Sequence, residues 1–146
     1  MPSLQFEITT PERVVLRRTA DAVTLPTAEG EITVLPGHTP LVGVLRAGMI
    51  TVRQGSDTEY LAVAGGFLEV QPGGRVIALA DTAERAEELD LEKVKEARGR
   101  AEHALEEARR TDDVTAAAAM AAIEREAARI KVAHHHRAKR QTTIQQ

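Results

Sequence analysis

The chain opens with strict alternation. Leu4, Phe6 and Ile8 are apolar and Gln5, Glu7 and Thr9 polar, the period of a half-buried strand. Thr10-Pro11-Glu12 reads as a turn. Val14-Val15-Leu16 starts a second strand ahead of the polar Arg17-Arg18-Thr19, and residues 22–25 form a third, ending at Pro26. From Glu29 to Asp90 the chain is a series of short apolar segments, each closed by Gly or Pro. Residues 32–35 end at Pro36-Gly37, 41–45 before Gly48, and 49–52 at Gly55. Residues 60–64 end at Gly65-Gly66, 67–70 at Pro72-Gly73-Gly74, and 76–80 at Asp81. Strands this short, with turn signals every eight to twelve residues, predict a sandwich or barrel. Nine or ten strands are expected between residue 4 and about 85. Leu41-Val42 and Val76-Ile77 are apolar on consecutive residues, which fits strands beside a two-sided core.

The period changes after residues 81–88. Gly and Pro all but vanish, and Ala and charged residues take over. Asp90 is a good N-cap, because its carboxylate can accept from the free amides of the first turn. Leu89 and Val94 stand at the positions of a hydrophobic staple. A first helix is predicted over 91–109, with the stripe Leu91, Val94, Ala97, Ala101, Leu105 and Ala108. Gly99 inside it costs about 1 kcal/mol relative to Ala. Thr111-Asp112-Asp113 breaks the pattern and can cap a second helix, predicted over 114–134. So short a link predicts an antiparallel hairpin. The second helix is rich in Ala, which favours helix but offers little area to bury. Such a helix can remain helical when it leaves its partner. The expected architecture is therefore α+β: a ten-stranded β-sandwich over residues 1–86, followed by a two-helix hairpin with a basic tail over 87–146.

Composition narrows the chemistry. There are no cysteines among the 146 residues, which excludes disulfides and thiolate metal sites. The net charge of −3 gives no reason to expect nucleic acid, and the three aromatic residues Phe6, Tyr60 and Phe67 cannot build a stacking platform. No run of eighteen apolar residues is present to span a membrane, and no basic segment followed by an apolar one reads as a signal peptide. Charge is uneven, however. Arg129, Lys131, Arg137, Lys139 and Arg140 follow one another with no acid after Glu126, which makes the tail a cationic tip. No catalytic constellation is visible. His38 lies in a Pro-Gly-His-Thr-Pro turn with no nucleophile placed beside it. Adjacent members of His134-His135-His136 point about 100° apart on a helix, so they do not converge on one metal ion. Gly65-Gly66 and Gly73-Gly74 precede strands, as turn glycines do, and form no phosphate loop.

Four features occur in one order along nearly the whole chain: EGEITVLPGHTPLVGVLRAGMI, GGFLEVQPG, LADTAERAEELD and the two-helix tail. Together they resemble the epsilon subunit of bacterial F-type ATP synthase. The resemblance implies a non-catalytic subunit of the rotor stalk, with a sandwich of about ten strands and a helical hairpin. It implies partners in the gamma subunit and the membrane ring of c subunits, and a peripheral position on the cytoplasmic face of the bacterial plasma membrane. The implied roles are to help couple proton flow to ATP synthesis and to inhibit ATP hydrolysis. For inhibition, the hairpin opens and extends into the catalytic hexamer, where basic residues near its end meet an acidic loop of the β subunit. Arg125, Arg129, Lys131, Arg137, Lys139 and Arg140 are the candidates for that contact.

No cofactor is required by this resemblance, although some members of the family hold ATP on the folded hairpin. Of their pattern, Glu84, Leu89, Asp90, Arg100-Ala101, Arg125 and Arg129 match here. Lys93 and Val94 replace an Arg-Ala pair, and Ala104 replaces a further Arg. Lys cannot reproduce the bidentate fork of Arg, so ATP is expected to bind weakly or not at all. Apart from the resemblance, the residue pattern leaves a second reading open: a standalone β-sandwich binding module whose hairpin pairs with a second copy.

Overall fold

The structure, a computed structural model, describes residues 2–111 and 113–144. Eight strands come first: β1 (Leu4–Thr9), β2 (Val14–Ala20), β3 (Ala22–Thr27), β4 (Gly30–Val34), β5 (Leu41–Val44), β6 (Gly48–Gln54), β7 (Asp57–Gln71) and β8 (Arg75–Arg85). A 3-10 turn (Ala86–Glu88) leads into helices α1 (Leu91–Ala108) and α2 (Asp113–Ile144). The hydrogen-bonded order is β2-β1-β8-β7-β6-β3-β4, with β5 also paired to β7. All pairs are antiparallel except β1 with β8.

The two layers share one long hairpin. The first half of β7 pairs with β6 from Asp57 to Val63, and the second half pairs with β5 from Phe67 to Val70. β8 pairs with both halves of β7, from Leu61↔Arg85 to Gln71↔Arg75. The hairpin bends at Gly65-Gly66, where φ is +73° and +120°. At Gly66 a β-carbon would lie 2.1 Å from the carbonyl oxygen of Leu79, so glycine is required there. Between the layers lies one apolar core. It takes Leu4, Phe6 and Ile8 from β1, Val23 and Leu25 from β3, Ile50 and Val52 from β6, and Leu61, Val63, Leu68 and Val70 from β7.

This bend accounts for the difference in strand number. The sequence pattern places strand ends at Gly65-Gly66 and Asp81, because Gly and Asp are depleted in strand interiors. Here they bend a continuous pair of strands, so segments 60–64 and 67–70 are one strand and the described residues form eight strands rather than nine or ten.

The helical half follows its sequence pattern closely. The Asp90 side chain accepts from the amides of Glu92 and Lys93. Val94, Ala101 and Ala108 are buried, Leu91, Ala97 and Leu105 half-buried, and every other residue of α1 is exposed. That stripe lies on α2, and α2 lies against β6 and β7. Arg109 forms the C-cap of α1. Asp112, a candidate cap of the second helix, is outside the described residues. α2 runs ten residues past the predicted end at His134. Tertiary contacts of its last third with the sandwich, described below, explain the extension: sequence periodicity does not register them.

Candidate functional site

Two surfaces carry the features that could engage a partner. The first is the seam between α2 and the sandwich. Val132 is fully buried and forms a small apolar cluster with Ala62 and Ala86, against which Met49, Tyr60 and Leu89 pack. Ion pairs flank this cluster. On one side, Arg129 donates from Nε to Glu84 Oε2 at 2.6 Å and from Nη2 to Glu84 Oε1 at 3.2 Å. Its Nη1 donates to Glu126 Oε2 at 2.6 Å, and Arg125 Nε reaches Glu126 Oε1 at 3.3 Å. Glu126 is only 3% exposed, and a carboxylate so buried needs these partners. Burial works against the charge on Arg129, but the hydrogen bonds to Glu84 and Glu126 outweigh it and raise the guanidinium above its ordinary range.

On the other side, Lys139 Nζ pairs with Asp57 Oδ1 at 2.8 Å and also donates to the Thr58 carbonyl. The Lys139 hydrogen bond is the main cause holding the Asp57 carboxyl below its ordinary range, against desolvation, with Arg18 assisting at 3.3 Å. The next carboxylate, Glu59, accepts from both Arg18 and Arg85. The His135 ring lies 5.6 Å from that of Tyr60, centre to centre.

The residues predicted from the sequence are thus divided. Glu84, Arg125 and Arg129 line one cavity of about 270 Å³ between α2 and the sheet. Asp90 caps α1 and Arg100 is exposed on α1; neither lines that cavity. Of the five tail cations, Arg129 and Lys139 face the sandwich. Lys131, Arg137 and Arg140 are exposed and form no ion pair among the described residues. His38 hydrogen-bonds through Nδ1 to the Thr39 carbonyl within its turn.

The second surface was not singled out from the sequence. On the outer face of the β5-β7-β8 layer, Val44, Phe67 and Leu79 are paired directly across the strands. They are exposed by 50%, 60% and 56%, and the neighbouring Val42 by 74%. A contiguous apolar row on an otherwise charged protein is the signature of an interaction site. Its sequence signal was the pair of runs Leu41-Val42 and Val76-Ile77. The expected two-sided core is therefore corrected: Leu41, Val70 and Val76 share one side of the layer, and the other side faces solvent.

Comparison with known proteins agrees with this architecture. A family described as "ATP synthase, Delta/Epsilon chain, beta-sandwich domain" matches residues 3–86, the stretch that contains all eight strands. A protein of Moorella thermoacetica named ATP synthase epsilon chain is 49% identical over 134 residues, covering 91% of this chain and 98% of that one. One of the same name from Dehalococcoides mccartyi is 42% identical over 137 residues, covering 94% and 96%. Among solved structures, a chain of the Euglena gracilis mitochondrial ATP synthase (the OSCP/F1/c-ring assembly) superposes with a TM-score of 0.73 at 27% identity, over 85% of this chain and 77% of that one. The sandwich and the hairpin are both covered by these relatives, and the chain belongs to the ATP synthase epsilon chain family.

Proposed function

We propose that this protein is a non-catalytic central-stalk subunit of a proton-translocating F-type ATP synthase. It docks on the gamma subunit and the c-ring through its sandwich and restrains ATP hydrolysis through its hairpin. The observation that carries the docking role is the exposed row Val42, Val44, Phe67 and Leu79. Among the described residues no helix is long and apolar enough to cross a membrane, so attachment to the cytoplasmic face of the bacterial membrane is through the complex. The hairpin supports the second role. Its seam is lined by Ala and a few larger residues, so separating it exposes little apolar area. The helices keep their internal hydrogen bonds in either position. An acidic loop of the β subunit provides the differential interaction that a two-state element needs, with Arg129, Lys131, Arg137, Lys139 and Arg140 as its candidate partners.

A dimerising hairpin has less support, because the apolar stripe of α1 is already covered by α2. Regulatory ATP, if bound on the folded hairpin, is bound weakly in our reading. Arg129 is already neutralised by Glu84 and Glu126, and a triphosphate must displace one carboxylate while approaching the other.

The test is ATP hydrolysis by a reconstituted complex carrying wild-type subunit, a chain truncated after Ala86, or a chain with the five tail cations replaced by Ala. Truncation and neutralisation should both relieve inhibition and leave assembly intact. Inhibition that survives neutralisation but not truncation would make the insertion purely steric.

A further inference from the structure

Among the described residues, two ion pairs fasten α2 to the sandwich, at positions 129 and 139. Ten residues of helix span about 15 Å, and the buried Val132 lies between the two points. In each pair the cation belongs to the helix and the acid to the sandwich: Arg129 with Glu84 near the end of β8, Lys139 with Asp57 at the start of β7. The remaining tail cations, Lys131, Arg137 and Arg140, are exposed. The fold thus sorts five similar charges into two sets.

We infer that Arg129 and Lys139 form a two-point latch holding the hairpin against the sandwich, leaving Lys131, Arg137 and Arg140 as the cations available to an acidic partner surface while it is closed. The inference rests on the reading that the hairpin opens, and it adds which charges set the balance. Removing one partner of a buried pair is costly because the other charge is left uncompensated. Here opening leaves no such charge. Arg129 departs with Glu126, which is on the same helix three residues away. Asp57 keeps Arg18, which lies on β2. Glu84 has a side chain 37% exposed even with Arg129 in place, so water takes over from the lost guanidinium. The closed state gains two charge-assisted contacts and the open state strands none of the four groups. That arrangement suits a reversible latch better than a permanent clamp.

The absence of native cysteine makes the test direct. A single Ala62→Cys thiol, buried beneath α2, should react with a soluble thiol reagent only when the hairpin lifts, so its labelling rate follows the open population even when that is small. In the full chain, Glu84→Gln should speed labelling about three- to tenfold, and Lys139→Gln about two- to fivefold. The two effects should multiply, because the contacts lie about 15 Å apart. Asp57→Asn should add little in the Lys139→Gln background. Raising the salt should accelerate wild type and have less effect on the double variant. Unchanged rates in Glu84→Gln and Lys139→Gln would overturn the latch, as would an equal acceleration by Lys131→Gln or Arg137→Gln. A thiol at Ala78, inside the sandwich core, reports global unfolding, and a parallel rise there would also overturn it. Hydrolysis separates the underlying reading. Neutralising Lys131, Arg137 and Arg140 alone should relieve inhibition, whereas Glu84→Gln should deepen it. If neither changes hydrolysis while the labelling rates behave as described, the latch stands and the partner contact falls.

Discussion

Phe67→Thr is the most direct test of docking through the outer face of β5-β7-β8. Phe67 is 60% exposed. A phenylalanine side chain carries roughly 200 Å² of surface, so roughly 120 Å² of it is available to a partner. At about 25 cal/mol per Å², covering that area stabilises a complex by about 3 kcal/mol, a change of about a hundredfold in Kd. Threonine keeps the β-branched preference of a central strand. The loss of cross-strand packing on Val44 and Leu79 should cost the free protein no more than about 1 kcal/mol. The prediction is therefore split: a melting temperature lowered by no more than about 5 °C, and affinity for the gamma subunit with c-ring reduced by one to two orders of magnitude in calorimetry or a quantitative pull-down. Leu79→Thr should act in the same direction and less strongly, since it is 56% exposed and smaller. Wild-type affinity in both variants would refute the assignment of this face, because no area estimate accommodates removal of the two largest exposed groups without effect.

Three further outcomes are expected. Gly66→Ala should destabilise the sandwich by several kcal/mol in denaturant titration, since the new β-carbon meets backbone at 2.1 Å with φ at +120°, whereas Gly43→Ala, with open space around it, should be nearly neutral. The Arg13 hydrogen bond holds the Glu88 carboxyl below its ordinary 4.5, against desolvation and helped by the Arg85 amide. A depressed folded-state value gives stability present above about 4.5 and lost as pH falls through the lower folded-state value. The melting difference between wild type and Arg13→Ala should accordingly be present but small at neutral pH, because solvent screens this exposed pair, and disappear in acid. A chain ending at Ala86 should melt cooperatively and still bind gamma, because every residue of the large core lies between Leu4 and Ala83; a truncated chain without a transition would show that the hairpin is part of the fold.

What the sequence revealed and what it concealed divide along a physical line. Local rules read well. The cap at Asp90 and the stripe from Leu91 to Ala108 depend on residues a few positions apart, and the structure contains both. The alternation in β1 likewise buries Leu4, Phe6 and Ile8. Long-range relations did not read. Gly65-Gly66 carries the same composition whether it ends a strand or bends one, and only the carbonyl of Leu79, brought there by β8, decides between the two. The tail was misjudged for the same reason. Residues 135–144 have no apolar stripe to announce a buried face, yet they remain helical beside Asp57, Thr58 and Tyr60, which lie some eighty positions earlier in the chain. The basic cluster shows the consequence for function. Along the sequence Arg129, Lys131, Arg137, Lys139 and Arg140 look equivalent, because charge type and proximity are all that a linear pattern expresses. On a helix each residue turns about 100° from the last, which puts Lys131 on the far side from Arg129 but returns Arg140 to nearly the same angle as Arg129; what separates the two sets is that the sandwich acids Glu84 and Asp57 lie beside positions 129 and 139. The fold therefore gives the same charge two different uses: one pair faces inward to the sandwich, and three face solvent, where an acidic partner can reach them.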